Sequence, residues 1–251
     1  MHTRPTEIAN WLKSGVSAAG AEGLVVPLDG RIGSAVTARL CQIAMEEKAV
    51  AVHAADGPLA AAAHEAQAVA EILQMRLLRL PTELACSRLT AALGGTMTGS
   101  GVPPVTADLE WTRGAGLRQR ILMAAVYFVA DSLNSLVAGS LDRTDLTIGA
   151  FTRHGDAAAD VLPLGHILKS DVIAMANELQ LPPPMIERAQ AEALSIPDTS
   201  TTNVTGLTNA DLERYLSNGP DGVAPAVALR IERLMRASER RGAAPQMMVI
   251  E

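Results

Sequence analysis

Residues 139–172 read GSLDRTDLTIGAFTRHGDAAADVLPLGHILKSDV, a stretch rich in side chains that bind charged ligands. It contains acids, two arginines, two histidines, a lysine and several glycines, and it lies between two apolar segments with helical spacing. A short apolar run, residues 135–138, precedes it and is typical of a buried strand. In open α/β sheets, ligands bind just beyond the carboxyl ends of strands. The stretch is therefore predicted to line a ligand-binding site.

The first half of the chain alternates strands and helices in short units. Short apolar runs between turn residues predict strands, and apolar residues every three or four positions predict helices. The strands are predicted at 23–28, 49–53 and 76–80, and the helices at 6–17, at 35–47 with Ser34 as cap, and at 60–73. This alternation indicates a parallel sheet with right-handed crossovers.

The second half adds a fourth strand, 135–138, and several helices. Helices are predicted at 116–132, from Leu164 to before the prolines at 182–184, at 211–216 and at 226–240, and loops at 56–58, 94–104 and 197–206. The expected fold class is therefore α/β, a parallel twisted sheet with helices on both faces. We expect a single domain over 1–251, in which 1–206 form the α/β core and 207–251 form C-terminal helices and a tail.

The composition limits the class of partner. A net charge of −6 argues against a nucleic-acid-binding surface, which would need a clustered basic face. The longest apolar run, 121–130, is far shorter than the ~20 residues that span a membrane. Cys41 and Cys86 cannot form a disulfide framework and have no metal-ligand spacing. These features predict a cytoplasmic protein without nucleic-acid or membrane partners.

A second segment of interest follows the first strand. Residues 27–34 read PLDGRIGS and connect that strand to the next helix. Because both segments follow strands, they are expected at the same edge of the sheet. On its own, a short glycine-containing turn between strand and helix is most often structural.

Taken together, the motifs resemble one family, the ammonia-dependent NAD synthetases. The resemblance rests on the order of a strand, a DGRIGSAV turn, a helix with an RILM step, a Gly-Ser opening, FTRHGDAAAD and PLGHILKSDV. It covers most of the chain, including the terminal SERRGAAP, and is most specific between Gly139 and Lys169. It implies a Rossmann-like PP-loop ATPase architecture.

The resemblance also implies a reaction. The family joins ammonia to the carboxylate of deamido-NAD, a nicotinate dinucleotide, through an adenylate made from ATP, and it uses Mg²⁺. It implies a homodimer as well. The 251 residues contain no glutaminase domain, so ammonia is expected to arrive free or from a partner.

Residue roles follow from the same resemblance. Lys169 and Arg153 are implied as catalytic cations, and Asp145 replaces a metal-binding Glu. The implied ATP-binding residues are Asp29, Gly30, Arg31, Gly33, Ser34, Arg120 and Ser140. The implied dinucleotide-binding residues are Arg153, His154, Gly155, Asp156 and Asp160. Lys169 is one of only three lysines in the chain, with Lys13 and Lys48.

The phosphate loop departs from the family pattern SGGxDS. Asp29 replaces its first Ser, Arg31 its second Gly, and Gly33 its Asp. A carboxylate ~4 Å from a phosphate charge costs roughly 4 kcal/mol at an effective dielectric constant near 20. That corresponds to about a thousandfold in affinity, unless a metal or Arg31 offsets it. Arg31 could clamp phosphate or fill the space that glycine leaves open.

Two other positions differ, and three functions stay open. Leu122 stands where the family has a second Arg, and Thr201 and Thr202 align with an Asp-Glu pair. The first function is an NAD synthetase-type ligase, which the block at 139–172 favours. The alternatives are a non-catalytic nucleotide-binding relative, which the altered loop favours, and a ligase of the same fold with another carboxylate substrate.

Overall fold

The structure, a computed structural model, describes residues 4–55, 63–97, 107–193 and 207–242. Its centre is a parallel sheet of four strands: β1 (Gly23–Pro27), β2 (Ala49–Ala54), β3 (Arg76–Leu80) and β4 (Ser135–Val137). All four predicted strands are confirmed, with ends that differ by at most one residue. A single parallel bridge between Ala138 and Val161 extends the sheet beside β4.

Ten α-helices occur among the described residues. They are α1 (Pro5–Ala18), α2 (Ile32–Met45), α3 (Ala63–Ile72), α4 (Glu83–Met97), α5 (Ala107–Ser132), α6 (Arg143–Ile148), α7 (Lys169–Glu178), α8 (Pro183–Glu192), α9 (Asn209–Asn218) and α10 (Pro225–Gly242). With the sheet, they confirm the predicted α/β class.

The strand order β3-β2-β1-β4 places a reversal point beside β1. The chain moves outward from β1 to β3, then returns through α4 and α5 to add β4 on the other side of β1. Neighbouring connections therefore diverge between the carboxyl ends of β1 and β4. Such a point leaves a crevice at which α/β sheets bind ligands, and we refer to it as the β1–β4 crevice.

The core has one layer on each face of the sheet. In β1, Leu24 and Val26 belong to a cluster with buried side chains of α1, α2, α7 and α8. Val25, between them, packs on the opposite face against α5. Successive strand side chains point to opposite faces, so an unbroken apolar run is expected for a strand covered on both sides.

The C-terminal helices have their own small core. Leu212 of α9 and Ile231 of α10 pack with Ile148 at the end of α6. The hydroxyl of Ser238 also donates to the carbonyl of Leu146 at 2.6 Å. This cluster places α9 and α10 against the block that follows β4. Within the described residues, no helix is both long and apolar enough to cross a membrane.

Several helix predictions were wrong in their limits. The helix α2 begins at Ile32, so Ser34 lies in its first turn and Arg31 is the N-cap. The loop predicted at 94–104 is helical up to Met97, and α5 begins at Ala107 rather than at 116. The prolines at 182–184, interpreted as an end, also begin α8, because proline suits the first helical position. The loops predicted at 56–58 and 197–206 lie outside the described residues.

Candidate active site

The loop after β1 ends at the N-terminus of α2. Gly30 has φ +79°, a conformation that side chains rarely adopt, and it turns the chain into the helix. The amides of Ile32, Gly33 and Ser34 form the first turn, where no preceding helical carbonyl can pair with them. Such an end attracts anions. The loop therefore has the backbone arrangement of an anion site.

The side chain of Asp29 supplies an anion to this loop. Its Oδ1 accepts hydrogen bonds from the Arg31 amide at 3.0 Å and the Ser34 hydroxyl at 2.6 Å. Its Oδ2 accepts from Arg31 Nε at 2.6 Å. Burial raises the pKa of Asp29, but the charge of Arg31 and these hydrogen bonds outweigh it and lower the pKa below its usual value. Arg31 is thus paired with Asp29, and its role toward phosphate stays a prediction.

Gly33 brings the loop into contact with the segment after β4. A Cβ atom at Gly33 would lie 3.0 Å from the carbonyl oxygen of Ser140. The guanidinium of Arg31 also lies within electrostatic range of Asp145 and Asp156. The expectation that both segments share one edge of the sheet is confirmed by these contacts.

A lysine lies between two carboxylates beyond β4. Lys169 Nζ is 2.5 Å from Asp142 Oδ2 and 3.2 Å from Asp145 Oδ2. Burial and the neighbouring Asp145 raise the pKa of Asp142 to about 6, although Lys169 opposes the shift. Burial alone would lower the pKa of Lys169, but Asp145 and Asp142 raise it above its ordinary value. We call Asp142, Asp145 and Lys169 the lysine cluster.

Asp142 was not among the predicted site residues. It is the N-cap of α6 and accepts a hydrogen bond from the Asp145 amide at 3.0 Å, while Asp145 Oδ2 accepts from the Asp142 amide at 3.3 Å. This reciprocal capping has a signature in sequence, an acid followed three residues later by a second acid at a strand exit. The pairing with Lys169, 27 positions later, has none.

Arg188 was missed as well. From α8 it donates to the carbonyl oxygen of Gly30 at 2.6 Å and to Glu65 of α3 at 2.7 Å. It therefore ties the loop after β1 to two helices. Since the contact joins positions 158 residues apart, nothing local in the sequence indicates it.

The turn at 152–156 is held by its own hydrogen bonds. Asp156 Oδ1 accepts from the Thr152 amide at 2.6 Å, and Arg120 Nε donates to the carbonyl of Arg153 at 3.1 Å. Exposed His154 has φ +62°, and buried Gly155 lies close to Thr152. Burial raises the pKa of Asp156, although the Thr152 amide and Arg31 oppose the shift. The predicted residues Arg153, His154, Gly155 and Asp156 are thus together in one turn, and Arg120 reaches this turn from α5.

Of the remaining positions singled out from the sequence, Asp160 and Leu122 have structural partners. Asp160 accepts from the Val137 amide at 2.7 Å and from Tyr127 at 3.0 Å, so its carboxylate supports the end of β4. Leu122 packs in the apolar cluster between α5 and the sheet. Thr201 and Thr202 lie outside the described residues. A dinucleotide-binding role for Asp160 stays a prediction.

No group of three His, Cys, Asp or Glu side chains among the described residues could hold a metal ion. The carboxylate oxygens nearest the crevice already face cations, Asp29 with Arg31 and Asp145 with Lys169. The role of Asp145 as a metal ligand therefore stays a prediction.

Comparisons with known proteins agree on one family. The model of the NAD synthase family matches residues 5–239. The NH₃-dependent NAD⁺ synthetase of Carboxydothermus hydrogenoformans is 29% identical over 244 residues, which cover 97% of this chain and 96% of that protein. Two solved structures have TM-scores of 0.79 and cover 98% of this chain and 97% of their own: an NH₃-dependent NAD synthetase from Campylobacter jejuni at 20% identity and an NMN synthetase from Francisella tularensis at 22%.

Proposed function

The chain belongs to the NAD synthase family, and from this premise we propose that it is an ammonia-dependent NAD synthetase. Its substrates are deamido-NAD, ATP and ammonia, and its products are NAD, AMP and pyrophosphate. The observation that carries the proposal is the lysine cluster just after β4, in the block whose Ser140 lies close to Gly33 at the start of α2. Mg²⁺ enters with ATP, as part of the substrate.

The first step is adenylation of the substrate. A carboxylate oxygen of deamido-NAD bonds to the α-phosphorus, and the bond from that phosphorus to the bridging oxygen breaks to release pyrophosphate. The chain contributes fixed positive charge, which stabilises phosphate charge that develops in the transition state. In the proposal, Lys169 and Arg153 have this role. Arg120 and the loop after β1 bind the nucleotide.

Amide formation follows at the carbonyl carbon of the adenylate. Ammonia bonds to the carbonyl carbon of the adenylate, the bond to the AMP oxygen breaks, and the nitrogen loses a proton to water or to a carboxylate. The turn at 152–156 holds the dinucleotide in the proposal. Positioning of this kind converts an encounter between separate reactants into one within a complex, and that accounts for much of the rate enhancement in such ligases.

The direct test is AMP release from ATP with Mg²⁺, ammonia and deamido-NAD. We expect turnover that requires all components and falls by at least about a hundredfold in Lys169→Ala, the scale of losing one preorganised charge. Lys13→Ala, at an exposed position of α1, is the matched control and should keep full activity. Folded protein that releases no AMP would reject this function.

A ligase with a different carboxylate substrate is the second candidate. The fold is shared with a protein described as NMN synthetase, so the architecture also suits a mononucleotide. Nicotinate mononucleotide in place of deamido-NAD, in the same assay, distinguishes the two. A higher kcat/KM for the mononucleotide would favour this candidate.

A nucleotide-binding protein without turnover is the third candidate, and the Asp29–Arg31 pair favours it. Calorimetry should then show nucleotide binding while AMP release stays at background.

The homodimer implied by the family resemblance belongs to the first proposal, and light scattering would give a mass near twice that of one chain.

A further inference from the structure

We propose that Asp142 is the positioning residue of Lys169, so that its buried carboxylate holds the ammonium ready for a phosphate. This rests on the proposed function for the identity of the ligand. The Asp142 side chain is 0% exposed and that of Lys169 is 21% exposed. The Asp142 side of this contact is therefore closed to solvent, whereas part of the Lys169 side chain is exposed.

The two oxygens of Asp142 have separate partners. Oδ1 accepts the Asp145 amide at 3.0 Å and so begins α6, whereas Oδ2 lies 2.5 Å from Lys169 Nζ. The first contact is an N-cap that asparagine can make equally well. The second needs the negative charge, because a neutral amide cannot form an ion pair with an ammonium. The structure thus separates a capping role from a positioning role within one side chain.

Lys169 is fixed at both ends of its side chain. Its backbone amide donates to the hydroxyl of Thr144 in α6 at 3.1 Å, and its ammonium contacts Asp142 and Asp145 at the start of the same helix. An ammonium has three N–H donors. The Lys169 ammonium donates to Asp145 Oδ2 at 3.2 Å and forms an ion pair with Asp142 Oδ2, and in the proposal it also donates to an incoming phosphate oxygen. A lysine otherwise has a flexible four-carbon stem, whose freedom would be lost on binding.

A position fixed in advance predicts a specific kinetic effect. Without the Asp142 carboxylate, the Lys169 ammonium pairs only with Asp145, which is partly exposed, and its side chain has more conformational freedom. That freedom must be lost when ATP binds. ATP should then bind more weakly, while deamido-NAD, which the proposal places at the turn 152–156, should be affected less. A residue that only caps α6 would change stability without this asymmetry.

The experiment compares Asp142→Asn, Asp142→Ala and Asp211→Asn. The asparagine variant keeps the cap and removes the charge, and the alanine variant removes both. Asp211 is the matched control, because it is a first-turn carboxylate in the capping box of α9. The readouts are the unfolding midpoint at pH 7, the KM for each substrate, ATP affinity by calorimetry, and acylation of each lysine by sulfo-NHS acetate, followed by mass spectrometry.

Lysine acylation does not depend on turnover. The chain has three lysines, and exposed Lys13 and Lys48 serve as internal standards for Lys169. In Asp142→Asn we expect Lys169 to be acylated several times faster relative to these standards. We also expect ATP to bind about tenfold more weakly, the scale of losing a hydrogen bond to a charged group. The unfolding midpoint should be no lower than in the wild type, and Asp211→Asn should leave Lys169 acylation and ATP affinity unchanged.

The outcomes separate this proposal from the proposed function. Faster acylation of Lys169 and weaker ATP binding in Asp142→Asn support the positioning role, even if the wild type releases no AMP. Asp142→Asn is compared with Asp142→Ala, which lacks both the cap and the charge. If the asparagine variant returns stability, Lys169 acylation and ATP affinity all to the wild-type values, Asp142 is only a cap and the proposal is overturned. If KM rises equally for both substrates, the asymmetry is absent and the proposal is again overturned.

Discussion

At the scale of single residues, the Asp29 carboxylate lies in the loop that leads into α2, where it accepts from the Arg31 amide and the Ser34 hydroxyl. A negative charge at ~4 Å costs a phosphate between about 1 kcal/mol in water and roughly 4 kcal/mol at an effective dielectric constant of 20. The Asp29 side chain is 35% exposed and paired with Arg31, so screening favours the lower end of this range. If ATP phosphates bind at this loop, we therefore expect the pair to weaken ATP binding rather than to prevent it.

Opposite effects are expected from neutralising each partner of this pair. Asp29→Asn keeps an acceptor for the Arg31 amide and removes the charge, so Arg31 can turn to phosphate and ATP should bind about five- to tenfold more tightly. Arg31→Gln leaves the Asp29 charge unpaired beside the phosphates and should weaken binding by a similar factor. Calorimetric titration with ATP measures both, and a gain in affinity in Arg31→Gln would contradict the role given to Asp29.

Single substitutions are preferable here to a complete return to the family loop. Gly33→Asp would put a Cβ atom 3.0 Å from the Ser140 carbonyl, so Ser140 would have to move. The sequence predicted the loop, Lys169 and the turn at 152–156 as site residues, because each lies in a motif that resembles the family, and their roles stay predictions. It did not identify Asp142 or Arg188, because their contacts depend on how distant segments meet in the folded chain.

At the scale of secondary structure, α6 places the lysine cluster between the sheet and the C-terminal helices. It ends at Gly149, which has φ +71° and is closely covered by Ser238 of α10. A Cβ atom there would lie 3.1 Å from Ser238 Cα and Cβ. The end of α6 thus requires glycine for its conformation and for the approach of α10.

A pair of glycine substitutions separates these two requirements. Gly20 has φ +68° after α1, and no atom lies within 4 Å of a Cβ there. Gly20→Ala should cost about 1–2 kcal/mol, the price of a left-handed alanine. Gly149→Ala should cost at least about 1 kcal/mol more, because α10 must also shift. Urea unfolding measures the free energy of unfolding of both variants. Equal losses would show that Ser238 moves away from the added methyl group at no cost in stability.

The strands were easier to predict than the helices. A short apolar run covered on both faces has few alternatives, and all four strands were confirmed almost to the residue. The helix α4 was missed, and part of it was predicted as loop, because Gly94 and Gly95 resemble a connection. Packing between α4 and α5 overrides that local preference.

At the scale of the whole molecule, the strand order brings together segments that are distant in sequence. The loop after β1 and the block after β4 meet at the reversal point, although more than a hundred residues separate them. Both segments bring charges, and several of these are paired locally, Asp29 with Arg31 and Lys169 with both Asp142 and Asp145. Asp142 differs, since burial makes its charged form unfavourable.

That difference should appear in the pH dependence of global stability. The pKa of Asp142 is about 6 in the folded protein, compared with 3.8 for an ordinary Asp. Between these values the folded chain binds a proton that the unfolded chain releases, so this group makes the free energy of unfolding fall as pH rises from about 4 to about 6. The full effect corresponds to about 3 kcal/mol. Asp142→Asn lacks this contribution, so its stability relative to the wild type should rise across that window.

The control substitution should change in the opposite direction. A hydrogen bond from Thr208 lowers the pKa of Asp211, so its carboxylate stabilises the fold above the ordinary pKa and loses that effect as pH falls through the lowered value. Asp211→Asn should therefore lose stability relative to the wild type as pH rises through the region below about 4. Urea unfolding at intervals from pH 3 to pH 7 measures both differences, and carboxylates that do not interact with the substituted residue titrate alike in variant and wild type. Parallel curves for Asp142→Asn and the wild type would mean that Asp142 keeps an ordinary pKa, and that Lys169 compensates fully for its burial.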